Sequence, residues 1–214
     1  MNWLAAKIYD PFMEGLEEAC LRQWRGELLS EAVGRVLEVG AGTGANVPFY
    51  PETVEEVVLT EPHGVLREKL KGKVPEGGPF VVSEERIETL AMEEGSVDTV
   101  VLTLVLCSVA DPAGALGRLF RVLKPGGRLI FLEHVASERP GRHRVQRWVE
   151  PVWKVCAGNC HLTRQSEERI GEAGFEMEWI KRESMRKALP FIRPSIRGIA
   201  RRPGSVSENN QKSS

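Results

Sequence analysis

The sequence predicts an α/β fold in which helices cover both faces of a mostly parallel sheet, and three observations carry that prediction. Short apolar runs alternate with helix-length amphipathic segments along residues 35–132, the rhythm of strand–helix–strand units. The runs 99–104 and 128–132 are apolar without interruption, as strands covered on both faces must be. The first run, Val36, Leu37 and Val39, feeds straight into a glycine-rich turn, R-V-L-E-V-G-A-G-T-G at 35–44. In such sheets the ligand sits beyond the carboxyl ends of the strands, so that turn marks where candidate polar groups are to be judged.

Each element follows from local pattern. From Asn2 to about Ser30, Leu4, Ile8, Phe12, Leu16, Trp24 and Leu28 recur at helical spacing, and Pro11 and Gly15 interrupt them, so two helical pieces with a break near Asp10 are expected to pack on the domain as a lid. After the glycine turn, Ala45–Tyr50 reads as a short helix. Glu55–Thr60 reads as the second strand, closed by Glu61, Pro62 and His63. Val65–Leu70 is helical, Lys71–Pro79 a loop, and Phe80–Ser83 the third strand. Gly95–Asp98 turns into the strand Thr99–Leu104, and Ala113–Leu123 is an amphipathic helix stopped by Lys124-Pro125-Gly126-Gly127 before the strand Arg128–Leu132.

The last third differs. Residues 137–147 are polar and basic, and an aromatic, apolar stretch with Trp148, Val149, Val152, Trp153 and Val155 follows. Leu162–Ala173 reads as a helix capped by Thr163 and ended by Gly174, and Phe175–Lys181 and Ile196–Arg201 read as alternating strands. One domain over 1–204 with a disordered polar tail at 205–214 is expected.

Composition bounds the function. The 214 residues are 42% hydrophobic, and 29 basic side chains face 30 acidic ones, a net charge of -1 that gives no global reason to expect a nucleic-acid partner. The eight basic residues between Lys181 and Arg202 lack interleaved aromatics and read as a solvated face. Four irregularly spaced cysteines without a signal peptide fit a reduced, cytoplasmic setting. No apolar run approaches the roughly 20 residues that span a bilayer, which leaves at most a peripheral membrane contact. Cys156 and Cys160 form a lone C-x3-C beside His161; without a second ligand pair, no metal site is expected.

Gly40, Gly42 and Gly44 allow positive φ and strip the backbone of side chains that would hold a ligand away. With Ala45 the same turn also satisfies the G-x-G-x-x-A form of dinucleotide-binding folds, so an NAD-dependent oxidoreductase is a rival. The acids favour another ligand. Glu38, expected at the edge of the turn, would hold a cation or a water and would repel a pyrophosphate. Glu61, about twenty residues further on, has the place of a carboxylate that accepts both hydroxyls of a ribose. An adenosine carrying a positive group suits both.

Four blocks in order, E-V-G-A-G-T-G (38–44), T-E-P (60–62), G-S-V-D (95–98) and L-K-P-G-G (123–127), resemble the class I S-adenosylmethionine-dependent methyltransferases over roughly residues 35–135. That resemblance implies a Rossmann-like three-layer sandwich with a mostly parallel seven-stranded sheet and an antiparallel C-terminal strand. It implies S-adenosyl-L-methionine as cofactor, left as S-adenosyl-L-homocysteine. By the same resemblance Gly40, Ala41, Gly42, Thr43 and Gly44 back the methionine portion, and Glu61 with Pro62 holds the ribose. Ile87 and Glu88 lie near the adenine, with Arg86 standing where many relatives have an aspartate. Thr103, Leu104 and Cys107 floor the sulfonium. Tyr9 resembles the lid tyrosine that covers the methionine carboxylate in small-molecule methyltransferases.

A narrower resemblance runs through T-L-V-L-C-S-V (103–109), E-H-V-A (133–136), the Trp148–Trp153 stretch and N-C-H-L-T-R-Q-S (159–166), which look like the thiol methyltransferases of small alkyl thiols. A small, apolar acceptor with a thiol as first choice is therefore expected, with a lipid-like amine or quinone-type carbon, and a non-catalytic cofactor-binding scaffold, as alternatives. His134, directly after the fifth strand, is the candidate general base, with Glu133 or His161 in reserve. Cys107 reads as a buried small hydrophobe rather than a nucleophile. Trp148 and Trp153 either form an aromatic lid or cover the sheet.

Overall fold

Side chains alternate across the central strands, and the alternation sorts the apolar residues onto two faces that two sets of helices bury. A computed structural model describes residues 13–204. The helix break expected near Asp10, the lid residue Tyr9 and the tail 205–214 lie outside the described residues. The strands are β1 (Gly34–Val39), β2 (Val54–Thr60), β3 (Phe80–Ser83), β4 (Val97–Thr103), β5 (Leu123–His134), β6 (Glu176–Ser184) and β7 (Pro194–Arg201). They form one sheet of order β3-β2-β1-β4-β5-β7-β6, in which β7 alone runs antiparallel to its neighbours β5 and β6. The order reverses between β1 and β4, so the glycine turn leaves the sheet at the switch point.

Val36, Val57, Val101, Ile130 and Leu132 point to one face, where α1 (Arg22–Leu29) and the π-helical turn Glu17–Leu21 before it bring Leu21, Trp24, Leu28 and Leu29. Leu37, Val39, Val100, Leu102, Leu129 and Phe131 point to the other. There α3 (Pro112–Val122) contributes Ala115, Leu116, Leu119 and Val122. This helix starts where the sequence dictates, with Pro112 in its first turn and the Asp111 carboxylate accepting the Gly114 N–H at 3.0 Å. Between β2 and β3 lies α2 (Gly64–Lys71), whose Leu70 joins the first face.

Arg197 of β7 is buried at 4% exposure and clamps α1 to the sheet. Its guanidinium meets Glu27 at 2.7 Å and Glu183 at 3.0 Å and lies 5.5 Å from the Trp24 ring centroid. The neighbouring Gly198 is required by space: a Cβ there would approach the Trp179 carbonyl and come within 2.9 Å of Phe131 Cζ. Gly198→Ala is expected to lower stability by about 1–3 kcal/mol through overpacking, read as a lower urea midpoint.

Three elements depart from expectation. The K-P-G-G run does not precede β5 but lies inside it, as an irregularity between the pairs Val97↔Leu123 and Thr99↔Arg128 with Gly126 at φ 79°. The stretch around Trp148 is the second half of a 17-residue helix, α4 (Pro140–Cys156), opened by Pro140. On its inner side the Gln146 side chain accepts from the Ser137 N–H and donates to the Val135 and Phe191 carbonyls. Trp153 packs edge-to-face on Phe191, while Trp148 is 88% exposed, so the two tryptophans form no shared lid. Thr163 caps no helix: its N–H and hydroxyl both donate to Glu150 of α4, and α5 begins at Ser166 and runs to Glu172. Among the described residues no helix is long and apolar enough to cross a membrane.

Candidate active site

Beyond the carboxyl ends of β1, β2 and β4 lies a cavity of about 680 Å³, within the range of small-molecule and cofactor sites. Gly40, Gly42, Glu61, Pro62, Arg86, Ile87, Glu88 and Leu104 all line it, so most of the expected cofactor contacts converge from four separate segments. Lys154 and Val155 of α4 and the loop Ala157–Asn159 close the opposite wall.

The glycine turn has the shape its sequence demands. Gly40, Gly42 and Gly44 sit at φ 66°, 59° and 80°. A Cβ on Gly40 would come 2.9 Å from Val105 Cγ2, whereas nothing lies within 4 Å of the Cβ position of Gly42. Gly42 is therefore where a ligand can approach the main chain. The turn is pinned by the Ala41 N–H on the Thr60 carbonyl at 2.9 Å. Glu61 fixes it from the side: one carboxylate oxygen accepts the Gly42 N–H at 2.9 Å and the other the His63 N–H at 2.8 Å. Each oxygen keeps a lone pair for a ligand hydroxyl. Ala41, Thr43 and Gly44 do not line the cavity and act as the frame of the turn.

Glu38 departs from its expected place. It is 1% exposed and lies beneath the turn instead of at its edge. Its carboxylate accepts from Asn46 Nδ2 at 2.9 Å and from the Tyr50 hydroxyl at 2.6 Å. Burial raises its pKa against the pull of these two donors and of Arg25. Arg25 reaches in from α1, donating to Asn46 Oδ1 at 2.7 Å and to Thr103 Oγ1 at 3.1 Å, with Glu17 at 2.9 Å as its ion partner. Thr103 is thus part of this buried network and not of the cavity floor. Arg25, Asn46 and Tyr50 carry no motif, and only their place around a buried acid reveals them.

Leu104 does form the floor, held at φ 60° by its N–H on the Leu132 carbonyl at 2.7 Å. Positive φ is costly for a branched residue, and the strain is contained by the next turn. There the Glu133 carboxylate accepts the N–H groups of Val105 at 2.8 Å, Leu106 at 2.9 Å and Cys107 at 3.4 Å. Burial pushes Glu133 up to about 7, even though those backbone donors and His134 oppose it. It is a clamp on the 104–107 turn.

Behind this wall the structure gathers three residues that the sequence keeps far apart. Cys107, His134 and Cys160 are all buried, and one ligand-type atom of each lies within 4.8 Å of the others. His134 Nε2 is 2.6 Å from Cys160 Sγ. Interaction with the Cys107 thiol and with His134 holds the pKa of Cys160 low despite burial, while Cys160 and burial push that of Cys107 up. Burial pulls His134 down, but Cys160 and Glu133 outweigh it and keep the ring's pKa above its ordinary value. Neither Cys107 nor His134 lines the cavity, which moves both from their expected positions on its surface to just behind it. His161 faces Glu150 at 3.6 Å on the far side. A second cavity, of about 790 Å³, lies past the end of β5 among Arg139, Arg142, Arg164 and Arg182, away from the glycine turn.

Similarity to known proteins agrees with this geometry. Residues 37–131 match the methyltransferase domain family. The chain is 37% identical over 198 residues to the human thiol S-methyltransferase TMT1B, covering 88% of this chain and 79% of that protein. It is 41% identical over 155 residues to the rat protein of the same name, covering 67% of this chain and only 62% of the relative's length. Among solved structures, an S-adenosylmethionine-dependent methyltransferase of Thermotoga maritima superposes with a TM-score of 0.66 at 20% identity, over 94% of this chain and all of that one. The open approach at Gly42, the paired oxygens of Glu61 and the cavity volume all fit S-adenosylmethionine. The chain belongs to the S-adenosylmethionine-dependent methyltransferases, in the family that includes these thiol S-methyltransferase relatives.

Proposed function

We propose that this methyltransferase acts on the sulfur of a small alkyl thiol. The observation that carries the reading is the 37% identity to a protein named as a thiol S-methyltransferase over 198 residues, an extent that takes in both the cofactor half and the segments around residues 134–165. The apolar wall that Leu104, Val105, Val109 and Val155 give the cavity supports a small hydrophobic acceptor over a charged one.

In this reading Gly40–Gly44 back the methionine portion, Glu61 accepts the ribose hydroxyls, and Arg86, Ile87 and Glu88 border the adenine. The cofactor supplies an activated methyl group on a sulfonium. What the chain contributes is alignment and dryness: Leu104 on its strained backbone and Val105 beside Gly40 set the floor, and the loop 157–159 closes the opposite side. Orientation of that kind is worth about 7–11 kcal/mol of barrier. The acceptor's sulfur lone pair forms the new carbon–sulfur bond as the old one breaks, and the acceptor's proton leaves to solvent. A free thiol with a pKa near ~8.5 is a few per cent thiolate at neutrality, so any group that favours the thiolate raises the rate directly. His134, read from the sequence as a free-standing base, acts here within the Cys107–His134–Cys160 cluster. A panel of alkyl thiols, amines and phenols, assayed for S-adenosylhomocysteine release, tests the reading. Turnover is expected with the thiols, and a protein that methylates amines or phenols but no thiol would overturn it.

A further inference from the structure

We propose that Cys107, His134 and Cys160 are the three protein ligands of a zinc-class metal ion whose fourth position takes an external sulfur ligand. Three independent segments converge to make the cluster: the turn after β4, the last residue of β5 and the loop after α4. Their two thiol sulfurs and one imidazole nitrogen lie within 4.8 Å of one another, and the three residues are 2%, 5% and 8% exposed. Two soft sulfurs with one imidazole nitrogen is a donor set that selects zinc over the hard, oxygen-seeking cations. Three protein ligands with one position left open is the pattern of catalytic zinc, where structural sites close with four.

The surroundings are built as a metal site's outer shell would be. Glu133 clamps the backbone at Cys107, and the His161 N–H donates to the Cys107 carbonyl at 2.8 Å, which locks the two cysteine-bearing loops together. Asn159 Nδ2 donates to the Ser108 carbonyl at 3.0 Å, a second tie between the same loops. The Trp153 indole N–H is buried with no hydrogen-bond partner among the described residues.

The chain neighbours of the ligands, Ser108 and Asn159, line the cofactor cavity, so the cluster stands one residue behind its wall. A thiol reaching the open position from the cavity would lose its proton to solvent on coordination and stay ready as a thiolate near neutral pH. This last point rests on the thiol reading of the acceptor; the metal site itself does not.

The test is metal analysis of the full-length protein purified without chelator and dialysed against zinc. About one zinc per chain is expected, falling below about a tenth in Cys107→Ser and in Cys160→Ser but unchanged in Cys156→Ser, whose thiol is exposed and outside the cluster. Cobalt(II) loading of the unmutated chain should give sulfur-to-cobalt charge-transfer bands, and added alkyl thiol should shift the visible bands of a four-coordinate site. A metal-free protein in which Cys107 and Cys160 titrate as two thiols, or are joined as a disulfide, overturns the proposal. Full thiol turnover by the metal-free protein would overturn the sulfur-binding role of the fourth position while sustaining thiol methylation. Stoichiometric zinc with no methylation of any thiol would sustain the metal site and sink the acceptor assignment. A cobalt spectrum indifferent to thiols would overturn the open fourth position.

Discussion

Glu61→Ala is expected to raise the dissociation constant for S-adenosylmethionine at least about 100-fold, measured by calorimetry, in a chain that still folds. Hydrogen bonds to a charged acceptor contribute about 1.5–3 kcal/mol each, and two ribose hydroxyls on one carboxylate therefore account for two decades or more. The substitution also releases the Gly42 and His63 N–H groups, which Glu61 holds at 2.9 and 2.8 Å, so the glycine turn loses its lateral support along with the ligand's partner. Glu61→Gln keeps one acceptor oxygen and should fall between the two. Unaltered affinity in both variants would remove Glu61 from the cofactor site.

Arg25→Ala is expected to destabilise the fold by about 3–5 kcal/mol, the usual consequence of removing one partner from a buried charged network. The side chain is 5% exposed and faces Glu17, whose own side chain is 18% exposed, together with Asn46 and Thr103. Its loss leaves Glu17 without its ion partner, Asn46 Oδ1 without its donor, and Glu38 without the nearby positive charge that opposes its burial. Equilibrium urea denaturation reads the effect, and a change below about 1 kcal/mol would show that water replaces the guanidinium. The same variant should weaken cofactor binding indirectly, because Asn46 and Glu38 support the turn from below.

What the sequence made legible was whatever depends on neighbours along the chain. Phe80–Ser83 is a strand in the structure as in the sequence, because an apolar run between a glycine-rich loop and a polar segment has few other uses. The same holds for the glycine turn and for α3 between Asp111 and Leu123. Glu61 reached the cavity because it follows the end of a strand whose neighbour carries the turn. Glu38 lies beneath that turn and not at the edge its sequence position suggests, since nothing in the order of residues says that Arg25, Asn46 and Tyr50 will gather around it. The aromatic stretch at 148–155 has apolar residues on both an inner and an outer helix face, which blurred its period. Cys107, His134 and Cys160 come from three separate elements, and the short C-x3-C spacing drew attention to Cys156, which is exposed and takes no part.

The position of β7 between β5 and β6 also governs the order in which this sheet can be completed. During synthesis β5 emerges long before the strand that covers its outer edge, and β6 emerges with no partner of its own. Both wait for residues 194–201, so five parallel strands stand with an unpaired border until that segment has emerged. Arg197 then joins Glu27 of α1 to Glu183 of β6 in one step, which makes the arrival of the last strand the event that couples the beginning of the described chain to its end.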